Sequence, residues 1–384
     1  MATLLSPRFL RRGGPRVGGA GGASNASDAR LRFLRRGLEF FAVVSVVALV
    51  ALLFYGGNWG ASLGAVERLR PGWVLAALAL ASFDWWGGGV RIWLLARFLR
   101  GRVPFRGMVL AAGLNTWGSY LTPSQAGGGP VMIWAMSRAG VPVPEAMIAT
   151  FMSFVGTVVF FAVAGPLAIV LGAGHSLRAH ALGVLHLSLY DLFKASAWGF
   201  VITGGLHLVV LLFPGQARRL VHWAIGWLER RGGGSARLAG RMSALRDGID
   251  RMQECVVQFL RPAGLLALAG GVATSALAHA NKLLAGYVAL RALGIQANFV
   301  DVLLLQTSLS FLLYFAPTPG ASGAAEALSA ALMSVYVPRT LLPIYTVLWR
   351  ATVSYATVAF GSLVFFRMLR GRPGEAGAEA VPAS

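Results

Sequence analysis

The stretch Leu121–Pro130 reads LTPSQAGGGP and lies between apolar segments. Proline removes a backbone donor from a helix, and glycine lowers helix stability further. In a membrane such a break is tolerated only where protein buries it or where it lines a water-filled cavity. The stretch therefore predicts a break in the chain that faces the protein interior rather than lipid.

Composition indicates a polytopic membrane protein. The 384-residue chain is 56% hydrophobic and 12% charged, and its mean hydropathy is +0.66. A soluble domain is about 25% charged, and a membrane-spanning helix needs roughly 20 apolar residues. We expect an all-α polytopic membrane protein with about six full spans and two re-entrant helical hairpins that form an inverted repeat.

The net charge of +20 is distributed as in a membrane protein rather than a nucleic-acid-binding protein. Basic residues cluster beside or between apolar runs, at residues 8–36, 97–106, 218–261 and 367–372. Cytoplasmic segments carry such an excess of arginine and lysine, and the anionic lipids of that leaflet attract it. We therefore expect a multi-pass protein of the cell membrane, with cytoplasmic N- and C-termini and with anionic lipids, not nucleic acid, against these segments.

The apolar runs and basic blocks divide the chain into segments. The predicted full spans are Phe40–Gly56, Trp73–Ala96, Glu145–Leu171, Ala195–Phe213, Pro262–Leu290 and Leu342–Phe366. The predicted segments are a disordered basic cytoplasmic tail (1–36), a first transmembrane half (37–214) with a re-entrant hairpin at 106–140, a cytoplasmic amphipathic helical hairpin (215–261), a second transmembrane half (262–370) with a re-entrant hairpin at 299–338, and a disordered cytoplasmic tail (371–384).

A second break, APTPGASGAAEA at Ala316–Ala327, is similar to the first in composition and setting. Each broken segment is long enough to cross once with a kink, or to enter and leave by one face. Re-entrant hairpins keep every basic block on the same side, which favours them. Span, broken hairpin and span then occur twice in opposite orientation, which is the layout of an inverted-repeat transporter.

The two breaks predict a binding site for an anion. Pro130 suits the first turn of a helix, and Ser322 can cap a helix that starts near Gly323. Helix N-termini with exposed glycine N–H groups attract phosphate. The candidate substrate-binding residues in the breaks are Thr122, Pro123, Gly127, Gly128, Gly129, Pro130, Thr318, Pro319, Gly320, Ser322, Gly323 and Glu326.

Charged residues within the apolar segments add Arg91, Lys282 and Arg350 to these candidates. Charges inside a membrane usually face a cavity or a partner. Arg350 either pairs with Glu326 or binds a lipid phosphate directly. Arg91 either lines the cavity or extends to the cytoplasmic face, whereas Lys282 lies deep in its span, where we expect a cavity position.

The middle segment predicts amphipathic helices. Apolar residues recur at spacings of four and three, at Leu238, Met242, Leu245, Ile249, Met252, Val256 and Phe259. This spacing gives one apolar helix face. The helices either pack on the bundle or lie in the headgroup layer, or they form a coiled-coil dimer contact, so the oligomeric state stays open.

Other motifs give no further site. Cys255 is the only cysteine, so an intrachain disulfide and a thiolate metal cluster are excluded. His175, His180 and His186 lack acidic or thiol partners, and we expect a loop there rather than a metal site. We expect neither a catalytic residue nor a cofactor.

With these motifs the chain resembles the flippase-like family, which comprises the transmembrane region of lysylphosphatidylglycerol synthetases and its stand-alone relatives. The matching residues are Thr122, Pro123, Gly127, Gly128 and Pro130 in the first motif, Thr318, Pro319, Gly320, Ser322, Gly323 and Glu326 in the second, and the arginines Arg91 and Arg350. The resemblance extends over residues 35–370. Ala321 departs from it, because the family usually has glycine there, and a left-handed backbone at that position would favour glycine.

The resemblance implies passage of a lipid through the membrane. We expect no soluble aminoacyl-transfer domain of the kind the synthetases carry, and hence no lipid aminoacylation. The expected function is an integral membrane flippase or transporter that moves a phosphate-bearing phospholipid or glycolipid between leaflets without ATP hydrolysis. The alternatives are the membrane part of a lipid-modifying enzyme of the aminoacyl-phosphatidylglycerol synthetase type, and a non-transporting membrane scaffold.

Overall fold

The structure is a computed structural model that describes residues 20–57, 59–171, 181–182, 187–231, 236–314 and 316–370. The predicted tail at 371–384, residues 1–19 of the N-terminal tail and the three loop histidines lie outside the described residues. The described part of the chain is almost entirely helical, with one two-residue strand pair, Ala181–Leu182 against Leu187–Ser188.

Sixteen α-helices are assigned in the described residues. In chain order they are α1 (Ala20–Gly56), α2 (Trp59–Glu67), α3 (Pro71–Ala81), α4 (Phe83–Arg100), α5 (Phe105–Tyr120), α6 (Gly128–Arg138), α7 (Val143–Val170), α8 (Leu189–Leu212), α9 (Pro214–Arg231), α10 (Ala236–Phe259), α11 (Pro262–Ala278), α12 (Ala280–Ala292), α13 (Phe299–Tyr314), α14 (Ala324–Met333), α15 (Leu342–Arg350) and α16 (Ala356–Arg370). A π-helical turn at Ala351–Tyr355 joins the last two. Helix α1 begins at Ala20, so its first residues lie within the predicted tail 1–36.

Within the part of the chain that the structure describes, five helical segments are long and apolar enough to cross a membrane. They are Arg35–Gly56, Pro71–Arg100, Val143–Leu167, Pro262–Ala292 and Arg339–Leu369, and each overlaps one of the predicted spans. Helices α8 and α9 would make a sixth span if they are counted as one, but the chain bends by 79° between them. Pro214 begins α9, and its missing N–H and fixed φ explain why the helix does not continue straight.

The span formed by α3 and α4 packs antiparallel to the span formed by α11 and α12. Gly87 lies so close to α11 that an added Cβ would be 2.6 Å from a backbone carbonyl oxygen. Near the end of α4, the rings of Phe98 and Phe259 are 4.9 Å apart. At the opposite end the Arg70 N–H donates to the Ala292 carbonyl at 2.9 Å. Hence α4 ends where α11 begins, and α12 ends where α3 begins.

Each broken segment folds back on itself. Gly107, in the first turn of α5, lies against Ala139 just after α6, where an added Cβ would be 2.7 Å from the alanine Cβ. Tyr336, after α14, donates a 3.3 Å hydrogen bond to Asp301 in the first turn of α13. Since α5 follows α4 and α13 follows α12, the two folded-back segments begin at opposite ends of the antiparallel spans.

The breaks themselves are short 3-10 turns at Pro123–Gln125 and Pro319–Ala321, and these turns pack against each other inside the bundle. An added Cβ on Gly320 would lie 3.1 Å from the Tyr120 carbonyl oxygen and 2.6 Å from the Phe41 ring. Gly320 also has φ = 58°, a conformation that favours glycine. Leu121, Thr122 and Ala321 are buried, whereas Pro123 and Ser124 of the first turn are exposed and Ser124 and Gln125 line an internal cavity. The breaks are therefore partly buried and partly cavity-lining, which are the two settings that the sequence predicts.

The core divides into two large hydrophobic clusters, one around each folded-back segment. Among the fully enclosed side chains are Met108, Trp117 and Met136 in the first cluster. In the second they include Phe311, Tyr345 and Trp349. Large apolar side chains also cover the outer surfaces of α1 and α8, where a bilayer would shield them.

Helices α9 and α10 form an amphipathic pair that is joined by an Arg218–Asp250 ion pair of 3.3 Å. Val256 and Phe259 at the end of α10 are buried in the first cluster. Leu245, on the same predicted apolar face, is 47% exposed. Among the described side chains of this face, those towards the C-terminal end of α10 are packed against the bundle.

Candidate functional site

A cavity of about 850 Å³ extends from the two breaks to the helix pair α9–α10. Its polar lining includes Asp84, Arg91, Ser124, Gln125, His279, Lys282, Tyr314 and Arg350. Of the predicted site residues, those that line the cavity are Arg91, Gly129, Lys282, Gly320 and Arg350. The remaining predicted residues build the two breaks without forming the cavity surface. Most residues of the two motifs therefore shape the backbone around the cavity, and few of them form its surface.

The second break is held by Arg350 and Glu326. Arg350 Nε donates to Glu326 Oε1 at 2.8 Å, and both side chains are fully enclosed. Arg350 Nη1 also donates to the Gly320 carbonyl at 3.2 Å and to Ser354 Oγ at 3.3 Å. The expected ion pair is therefore present, and Arg350 Nη2 is a buried donor without a hydrogen-bond partner.

The N-terminus of α14 is closed by a carboxylate of the protein itself. Glu326 Oε2 accepts the Gly323 N–H at 2.8 Å, which satisfies one of the free donors of the helix end. The expectation that Ser322 caps this helix is wrong, because Ser322 Oγ donates to the Pro319 carbonyl at 2.8 Å instead. Thr318 Oγ1 in turn donates to the Ser322 carbonyl at 3.0 Å. An external anion would have to compete with Glu326 here.

The first break is held by Thr122. Its Oγ1 donates to the Gly118 carbonyl at 2.9 Å and accepts the Gly127 N–H at 2.7 Å. Gly128 packs so closely on Ser119 and Asn115 of α5 that a side chain would collide with them. Gly129 faces the cavity, and α6 begins without a side-chain cap. The first helix end is thus more open to an anion than the second.

Pro123 and Pro130 bracket this first break. Pro123 starts the 3-10 turn, and Pro130 lies in the first turn of α6, where a missing N–H costs nothing. Pro319 occupies the same position in the second turn as Pro123 in the first. The prolines therefore start turns and helices and contribute no ligand group of their own.

Lys282 pairs with Asp84 across the cavity wall. Lys282 Nζ lies 2.9 Å from Asp84 Oδ1, and Thr357 Oγ1 donates to Asp84 Oδ2 at 3.0 Å. Both charged residues sit in the first turn of a helix, α4 for Asp84 and α12 for Lys282. A cation at a helix N-terminus is unfavourable, so the pair compensates a charge that is poorly placed by itself.

Arg91 is a buried cation without an acidic partner among the described residues. It is 8% exposed, and its Nη1 donates to Thr157 Oγ1 at 2.7 Å and to Ser275 Oγ at 3.2 Å. Its Nε is buried and has no hydrogen-bond partner. The interpretation that Arg91 extends to the cytoplasmic face is therefore wrong. The other arginines and the lysine of the cavity, Arg218, Lys282 and Arg350, all have a carboxylate within 3.3 Å.

His279 and Tyr314 are cavity residues that the sequence did not single out. His279 Nδ1 lies 2.8 Å from the Ser275 carbonyl, and Nε2 lies 3.0 Å from the Tyr314 hydroxyl. A carbonyl only accepts, so Nδ1 carries the proton and Tyr314 donates to Nε2. The ring also stacks on Phe160 at 5.7 Å. The sequence did contain a sign of this cavity position, since His279 lies in an apolar run three residues before Lys282.

The chain matches the family model described as the lysylphosphatidylglycerol synthase transmembrane region over residues 40–361. It is also 22% identical over 324 residues to a UPF0104 membrane protein of Archaeoglobus fulgidus. That match covers 83% of this chain and 93% of the relative. The protein is thus a multi-pass membrane protein, and it belongs to the lysylphosphatidylglycerol synthase transmembrane-region family.

Proposed function

We propose that this protein is a lipid flippase or transporter that moves a phosphate-bearing phospholipid or glycolipid between leaflets without ATP hydrolysis. The observation that carries the proposal is Arg91, a buried cation on the cavity wall without a carboxylate partner among the described residues. An unpaired buried charge is costly, and charges within membrane spans usually mark a substrate path. An anionic headgroup in the cavity would supply the missing partner.

The folded-back segments are proposed to be re-entrant hairpins that enter from opposite membrane faces. Helices α5 and α13 have 16 residues each, which is about 24 Å and short of a bilayer core of roughly 30 Å. With the antiparallel arrangement of the neighbouring spans, this supports an inverted repeat around the cavity. Basic residues near the α4–α5 connection and on α9 favour a cytoplasmic position for that end, in a cell membrane with cytoplasmic termini.

In this mechanism the headgroup occupies the cavity while the acyl chains stay in lipid. The phosphate accepts hydrogen bonds from Arg91 Nε and Arg350 Nη2, which are buried donors without a partner on two arginines that line the cavity. Charge-assisted hydrogen bonds of this type are stronger than neutral ones. The Gly129 region of α6 adds a partial positive charge from the helix end. Lys282 stays paired with Asp84 and shapes the cavity wall.

The proposal is tested by reconstituting the protein in liposomes that carry one fluorescent lipid at a time. The set contains phosphatidylglycerol, phosphatidylethanolamine, phosphatidylcholine and a lipid-linked glycan. Added dithionite quenches only the fluorescent lipid in the outer leaflet, so the loss of fluorescence with time measures exchange between leaflets. We expect the protein to speed exchange of at least one phosphate-bearing lipid over protein-free liposomes. Exchange at the protein-free rate for every lipid, by protein that remains folded, would contradict the proposal.

A further inference from the structure

A second pocket of about 520 Å³ opens on the outer surface of the bundle. It lies where α3 ends and α4 begins, at Ser82, and it is completed by the first two turns of α5 and of α16. Leu78, Trp86 and Phe360 form its rim and are each more than half exposed. Trp85 forms its floor, with its ring 4.8 Å from that of Phe360. Its volume falls within the roughly 300–1,000 Å³ of pockets that bind small organic molecules.

One end of this groove carries a positive charge. Arg106 lines the groove in the first turn of α5, next to the basic connection from α4. Among the described residues, Arg106 forms no ion pair with a carboxylate, whereas the nearby Arg100 lies 3.7 Å from Glu145. The groove therefore combines an apolar, aromatic trough with one cation at the basic end, which complements a lipid with a phosphate and an acyl chain.

A thin polar wall separates the groove from the internal cavity. Thr357 lines the groove, and its hydroxyl donates to Asp84 Oδ2 at 3.0 Å. Asp84 lines the cavity and pairs there with Lys282. The Thr357–Asp84 hydrogen bond thus lies between the outward-facing groove and the polar interior.

We propose that the groove is a lateral binding site for one phospholipid, with its phosphate on Arg106 and an acyl chain along Leu78, Trp86 and Phe360. From this site the headgroup passes the Thr357–Asp84 contact into the cavity. The binding site stands independently, whereas this delivery step rests on the proposed function. The site differs from the Arg91 region of the cavity in position, in lining and in its opening to lipid.

The binding site is tested with phosphatidylglycerol that carries a photoactivatable diazirine in its acyl chain. The protein is reconstituted in phosphatidylcholine liposomes with a trace of this probe, irradiated, and mapped by peptide mass spectrometry. We expect adducts on residues 78–86 and at Phe360. Arg106→Gln should lower them about fivefold, the effect of one basic residue on an anionic lipid at a membrane surface. Arg102→Gln, an exposed arginine on the same connection, should leave them unchanged.

Competition gives a second readout that does not depend on a variant. Unlabelled phosphatidylglycerol that replaces part of the phosphatidylcholine should suppress the groove adducts, and the same amount of phosphatidylethanolamine, which has no net charge, should not. Adducts spread evenly over outer faces such as Ile202 and Leu206 of α8, or equal labelling of the Arg106→Gln protein, would overturn the site. Wild-type protein that labels in the groove but moves no lipid would overturn the proposed function and the delivery step, and would leave the lipid site standing.

Discussion

At the residue scale, the two breaks are held by different chemistry. Glu326 accepts a hydrogen bond from Arg350 with one carboxylate oxygen and from the Gly323 N–H with the other. The same buried carboxylate therefore pairs with a charge and caps α14. Thr122 holds the first break with a neutral hydroxyl. A buried ion pair depends on completed hydrogen bonds, and removal of one partner leaves the other charge unpaired. The second break should therefore be the more sensitive to substitution.

Glu326→Gln removes the negative charge while keeping the side-chain length. We expect it to lower the free energy of unfolding by about 3–5 kcal/mol, because Arg350 is left buried without a counter-charge. Thermal or denaturant unfolding in detergent measures the change. The matched control is Glu39→Gln. The ion pair of Glu39 with Arg35 is exposed, so its loss should change the free energy of unfolding little. Equal shifts for the two variants would contradict the role of Glu326.

Ala321 adopts φ = 54°, a left-handed conformation that favours glycine, as the departure from the family pattern suggested. The left-handed conformation costs a residue with a Cβ roughly 1–2 kcal/mol, and glycine loses part of that gain to unfolded-state entropy. We expect Ala321→Gly to raise the free energy of unfolding by up to about 1 kcal/mol. Ala327→Gly, at an exposed position within α14, should lower it by about 1 kcal/mol. A lower stability of Ala321→Gly would contradict the expected strain.

At the element scale, α10 joins the two halves and covers the basic end of the cavity. Met252 and Val256 line the cavity, and Phe259 is enclosed against Phe98 of α4. Cys255 lies on the same packed stretch and is buried. Its reactivity therefore reports directly on whether α10 stays packed.

Cys255 should react slowly with thiol reagents. Burial raises the pKa of its thiol above the ordinary value, and the carboxylates of Glu145 and Glu254 raise it further. The thiolate is the reactive form, so a raised pKa lowers the alkylation rate near neutral pH and moves its rise to higher pH. Iodoacetamide labelling across pH measures this, and the exposed control is Ser243→Cys combined with Cys255→Ser. Equal rates and equal pH profiles for the two thiols would contradict the packing of α10.

The elements were predictable where the signal is local. Proline and glycine mark the breaks, and apolar runs of sufficient length mark the five spans. The boundary at Pro214 was predicted, since the span was expected to end at Phe213. The division of spans at Ser82 and His279 was missed, because an apolar run looks the same whether its helix is continuous or divided.

At the scale of the whole molecule, the site depends on contacts between residues far apart in the chain. The sequence could nominate Arg91, Lys282 and Arg350 as buried charges, since charges within apolar runs are costly. It could not assign Asp84 to Lys282, 198 residues away. Nor could it tell that Glu326 already occupies the end of α14. Which cation lacks a partner became clear only from the packed structure.

The most direct measurement of the central claim is the rate of lipid exchange by Arg91→Gln in liposomes. Glutamine can keep a hydrogen bond to Thr157 or Ser275 but removes the charge. We expect the rate for the transported lipid to fall about ten- to a hundredfold, the effect of losing a hydrogen bond to a charged group. Arg91→Lys should retain part of the rate. Arg97→Gln, on the same helix but exposed beside Trp93, should keep all of it. Wild-type exchange by a folded Arg91→Gln protein would contradict the account.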